Sequence, residues 1–147
     1  MVNPAAKQLF NKGMQELTEG KTLAALSCFE KALAIEDDPL ISSFFAFCIA
    51  KERGEIQKAI AFCNAAMKKE PENSFHYLNL GKIYLVKKDI KEAINIFRQG
   101  LHYEENQQIV HALNKLGTRK PPVIPFLKRR NIINKYLGMI LSRLKLR

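Results

Sequence analysis

The stretch "FHYLNLGKIYLVKKDIKEAINIFRQGLHY", Phe75 to Tyr103, decides how the rest of the chain is read. Its first twelve residues and its last fourteen are each apolar at helical spacing, and the polar tripeptide Lys87–Asp89 separates them. Two amphipathic runs joined by so short a polar link predict a pair of antiparallel helices. Ala93 and Gly100, seven residues apart, lie on one face of the second helix and let its partner approach closely.

Working outward, the same columns recur at a spacing of 34 residues. Gly20 recurs as Gly54 and Lys88, and Ala25 as Ala59 and Ala93. Phe29 recurs as Cys63 and Phe97, Ala32 as Ala66 and Gly100, and Leu33 as Met67 and Leu101. A fixed period of this length signals stacked repeats, each one supersecondary unit that buries its apolar face against a neighbour. Residues 6–39, 40–73 and 74–107 form three such units without a gap, and Pro39 and Pro71 fall at the turns between them.

At 147 residues and 47% apolar content, the chain can bury a core without metal or disulfide. It shows neither an apolar leader at its start nor a run long enough to cross a bilayer, so a cytoplasmic location is expected. Cys28, Cys48 and Cys63 have no metal-ligand spacing and read as reduced, buried thiols. His76, His102 and His111 stand far apart. No metal, no cofactor and no small-molecule substrate are expected, and with no nucleophile motif or phosphate loop the chain does not read as an enzyme.

The third unit resembles the tetratricopeptide repeat, whose motif it matches at Tyr77, Leu80, Gly81, Tyr84, Ala93 and Phe97. The resemblance covers about three quarters of the chain. It implies an all-α fold, a right-handed α-solenoid of three antiparallel helix pairs within residues 1–107, followed by capping helices in 108–147. The second unit departs from the pattern: with gapless repeats, Phe47 falls where the family has a small residue and Ala50 where it has a large aromatic. Read as a volume-conserving swap, both belong to the core.

In this family the first helices line a concave groove that binds partners. The resemblance places Phe10, Met14 and Leu17 there from the first unit, Ile41, Phe44, Phe45 and Cys48 from the second, and Phe75, Leu78, Lys82 and Leu85 from the third. So apolar a surface reads as a site for an apolar helix or extended segment of another protein. Two other arrangements hide the same rings: the C-terminal segment laid in the groove, or a rotated helix that turns Phe44 and Phe45 inward. Family members that clamp C-terminal carboxylates use Lys, Asn and Arg where this chain has Phe10, Met14, Phe45, Phe75 and Asn79. Such a clamp is not expected, because a desolvated carboxylate without cationic partners is costly.

The net charge of +10 lies entirely after residue 107, in a stretch without an acidic side chain. Gln108–Gly117 reads as a capping helix, 119–125 as a proline-rich turn, and 131–146 as a basic amphipathic helix. Lys128, Arg129, Arg130, Lys135, Arg143 and Lys145 are the candidate basic site. The leading expectation is a protein-binding adaptor or scaffold. The alternatives are a tether to an anionic membrane surface or other polyanion through the tail, and a homo-oligomer; nucleic acid is not expected, since the tail offers few stacking rings.

Overall fold

The computed structural model describes residues 1–117. The described residues hold seven helices and no strand: α1 (Pro4–Thr18), α2 (Thr22–Ile35), α3 (Pro39–Arg53), α4 (Ile56–Lys69), α5 (Ser74–Val86), α6 (Ile90–Tyr103) and α7 (Gln107–Lys115). They belong to one unit, Met1–Leu116. The expected turn at 119–125, the helix at 131–146 and the basic residues Lys128, Arg129, Arg130, Lys135, Arg143 and Lys145 lie outside the described residues.

Local chemistry sets the helix starts. Asn3, Asp38, Asn73 and Asn106 each cap a helix, the side-chain oxygen accepting from backbone N–H groups of the first turn. Pro4 and Pro39 occupy first helical positions, where the missing N–H costs nothing. Inside each pair the chain reverses through a left-handed residue, Gly20, Gly54 and then Lys88 at φ 67°. A lysine there is strained by its Cβ, as glycine is not.

The pairs α1–α2, α3–α4 and α5–α6 pack side by side, and α3 and α5 bridge neighbouring pairs. Ala25, Ala59 and Ala93 are fully buried at the same column of the second helices. In the first and third pairs a glycine sits beneath an aromatic ring: a Cβ on Gly13 would come within 2.6 Å of the Phe29 ring, and one on Gly81 closer still to Phe97. The last pair closes against α7, where Ile109 and Leu113 join Leu78, Ala93 and Phe97 in one cluster. Thus α7 does for α6 what a following repeat would do, covering the open end of an apolar stack.

The middle pair breaks the gapless register. From its cap to its left-handed residue, α3 runs sixteen residues, Asp38 to Gly54, against fifteen from Asn73 to Lys88 in α5. A wide turn absorbs the extra residue: the Gly54 N–H donates to the carbonyl of Ile49, five residues back instead of four. Counted from the caps, Ala46 corresponds to Gly81 and Ile49 to Tyr84. The small residue beneath the second helix is therefore Ala46, fully buried, and not Phe47.

Candidate groove between the first helices

That one-residue offset turns α3 about its axis by roughly a hundred degrees and brings Phe47 outward. Phe44 is interior, its ring centroid 5.5 Å from Phe10, 5.8 Å from Phe29 and 6.0 Å from Phe75. The Phe45 ring meets Phe62 of α4 edge-on at 5.5 Å. Ile41, Cys48 and Leu78 are fully buried, and Phe10 nearly so. Phe44 and Phe45 are turned inward, as a rotated helix would place them, and the alternative of the C-terminal segment in the groove lies outside the described residues. These six side chains are packing residues on α1, α3 and α5, set inside the stack instead of along its open face.

Met14, Leu17, Phe75, Lys82 and Leu85 remain partly exposed. The ring that sequence reasoning placed in the core, Phe47, joins them: it is partly exposed, with the Lys82 Nζ 5.3 Å and the Lys51 Nζ 6.0 Å from its centroid. Phe47 and Lys82 stand at the same count from their caps on adjacent first helices, the ninth residue after Asp38 and after Asn73. Behind them Asn79 donates to the Ser43 hydroxyl at 3.2 Å, a buried bond that ties α5 to α3. Spacing from cap to cap, 35 residues between Asp38 and Asn73, was the signal that could have found Phe47.

Farther along, α5 and α7 enclose a cavity of about 570 Å³, lined by Lys82, Leu85, Gln107, Gln108, His111, Ala112, Lys115 and Leu116. Its α7 wall was not foreseen as part of a site. Among the described residues no carboxylate lines it. Burial holds the Lys82 ammonium below the usual lysine range, with the Cys48 thiol opposing and the Lys51 charge adding. Among the described residues no carboxylate lies within ion-pair distance of Lys82 or Lys115. Burial also pushes the Cys48 thiol up to about 12, so it stays protonated beneath the groove.

A second polar spot lies at the base of α5. His76, fully buried, sits with its Nε2 3.0 Å from a Glu70 carboxylate oxygen. Burial lowers its pKa, against the pull of Glu70. The Tyr77 hydroxyl donates to the Pro71 carbonyl at 2.8 Å, fixing the same turn. Both contacts tie α5 to the linker that precedes it. Among the described residues no group of His, Cys, Asp and Glu could hold a metal ion, and no helix is long and apolar enough to cross a membrane.

Residues 50–116 match the family model of the tetratricopeptide repeat. No curated protein sequence matches the chain. Solved structures with the same fold include the tetratricopeptide-repeat domain of Sgt2 from Aspergillus fumigatus, 18% identical, with a TM-score of 0.61 over 90% of this chain and 95% of that one. The first such domain of human RPAP3 is 21% identical, with a TM-score of 0.60 over 76% of this chain and 89% of that one. The second domain of human RPAP3, solved in complex with the HSP70 peptide SGPTIEEVD, is 22% identical, with a TM-score of 0.56 over 78% and 97%. With a sequence match over residues 50–116 and the same helix-pair architecture in these solved structures, the chain is similar to the tetratricopeptide-repeat family and shares its fold.

Proposed function

We propose that the chain is a non-catalytic protein-interaction module that binds a segment of another protein along the exposed stripe of α3, α5 and α7. The observation that carries this reading is the open cavity between α5 and α7, walled by Leu85, Ala112 and Leu116 and continued toward α3 by the half-covered ring of Phe47. Partly exposed apolar side chains in a concave site gain by burial, at about 25 cal/mol per Å² removed from water. The related RPAP3 domain holds a peptide, which supports a peptide as the class of partner.

The manner of binding differs from a carboxylate clamp. The places that would supply its cations hold Phe10, Met14, Phe44, Phe75 and Asn79 when α3 is counted from its cap. Phe10, Phe44 and Asn79 are buried, so no charged pocket forms there. Peptides selected from a random display library on the full-length chain test the reading. Binding should be lost in Phe47→Asp and Leu85→Asp and kept in Leu23→Asp, which alters an exposed leucine of α2 away from the groove. Selected peptides indifferent to the first two changes would place the interaction elsewhere.

A further inference from the structure

Resting on that groove reading, we infer that the segment it takes carries a carboxylate side chain among its apolar residues, and that this carboxylate seats on Lys82 and Lys115 in the cavity between α5 and α7. The apolar wall of Leu85, Ala112 and Leu116 would hold the neighbouring side chains.

Lys82 already bears a desolvation cost in the free protein. Its stem is partly covered, its ammonium is held over the Phe47 ring, and no carboxylate among the described residues pairs with it. The ring's negative face positions the ammonium and offsets part of its lost hydration, leaving its N–H donors for an acceptor. An incoming carboxylate meets a cation whose desolvation and orientation have been settled in the free protein, so most of the charge-assisted bond appears as affinity. Lys115 lines the same cavity from the opposite helix, and the remaining polar lining, Gln107, Gln108 and His111, brings no negative charge.

Charge complementarity also distinguishes the possible occupants. Residues 118–147 contain nine Lys and Arg and no Asp or Glu, so the chain's own tail brings apolar side chains but no side-chain counter-charge. A lipid or nucleic-acid surface supplies negative charge but no chain of apolar side chains matched to the slot. An acidic, apolar peptide segment satisfies both walls.

The test takes groove-binding peptides selected on the full-length chain and replaces each of their Asp and Glu residues by Asn or Gln. At low salt one such replacement should weaken binding about ten-fold, the size of a charge-assisted hydrogen bond. The difference should vanish in Lys82→Gln, persist in Lys82→Arg and persist in Lys31→Gln, which alters an exposed lysine of α2. Circular dichroism checks that each variant folds, and Lys115→Gln gives a second reading from the other wall. Selected peptides that lack acidic residues, or whose acidic residues are silent, while Phe47→Asp still abolishes binding, overturn this inference and leave the groove reading standing. Peptides indifferent to Phe47→Asp and Leu85→Asp overturn both. A synthetic peptide of residues 118–147 that competes as well as the selected ones would assign the cavity to the chain's own tail. Binding to phosphatidylserine vesicles that depends on Lys82, without peptide selectivity, would replace the peptide by a membrane surface.

Discussion

The second helix pair and the third solve one packing problem in two ways. In the third, Gly81 lies against the ring of Phe97, so the two helices approach until backbone and ring touch. In the second, Ala46 and Cys63 take the corresponding places, both fully buried, so one methyl and a thiol share the volume that elsewhere goes to a ring alone. The difference teaches that a column of the repeat is a volume to be filled and not a residue to be kept. Helix α3 fills its share only by sliding one residue, and that slide is what turns Phe47 outward beside Lys82.

The strongest test of this packing is at Phe44, which the family resemblance assigns to the groove and the structure buries. Phe44→Ala should cost about 3–5 kcal/mol of folding free energy, measured by urea denaturation, because a ring packed on three others leaves a cavity. A loss under 1 kcal/mol would return Phe44 to the surface. Next in size, Cys63→Phe should overpack the second pair by about 1–3 kcal/mol. Adding Ala46→Gly should recover part of that loss by recreating the glycine-under-ring arrangement. A double-mutant cycle with no coupling between residues 46 and 63 would refute the register.

Lys88→Gly should stabilise the third pair by about 1 kcal/mol, giving it the left-handed glycine that the first two pairs have at Gly20 and Gly54. A rise in Tm checks it. His76 adds a pH dependence with a definite sign. Its pKa is lowered on folding, so the unfolded chain takes up the proton more readily; its contribution is full above the unfolded value near 6.5 and is lost as pH falls toward the folded one. The fall in stability from pH 7 to 5 should therefore be shallower in His76→Gln than in the wild type. The smallest effect on folding belongs to Phe47→Ala, expected near 1 kcal/mol or less for a half-covered ring, while selected peptides should bind it markedly less well. Equal damage to folding from Phe47→Ala and Phe44→Ala would erase the distinction drawn here.

The second helices and their turns were legible in the sequence to the residue. Thr22, Ile56 and Ile90 begin α2, α4 and α6 at the 34-residue period, and Ala25, Ala59 and Ala93 are buried together. The first helices were not legible in the same way. A period fixed by turns and second helices says nothing of a residue inserted at the end of α3, where a five-residue hydrogen bond hides it from the count. The caps did hold the answer: Asp38 and Asn73 are a residue too far apart for the period. The α7 wall of the cavity was missed for another reason. His111, Ala112 and Lys115 were read only as parts of a terminal cap, and nothing in their pattern says that a cap leaves a slot beside Lys82.

The buried thiols carry a consequence of their own. Cys63 is fully enclosed, beside the Ser43 carbonyl at 3.9 Å, and burial pushes its pKa up to about 12, as it does for Cys48. A protonated thiol without access reacts with an alkylating reagent only while the helices around it are apart. Two of the chain's three cysteines are therefore built-in clocks of local opening, one on each helix of the middle pair. If that pair breathes as a unit, Cys48 and Cys63 will be labelled at one shared rate; if α3 lifts away alone on the groove side, Cys48 will be labelled first.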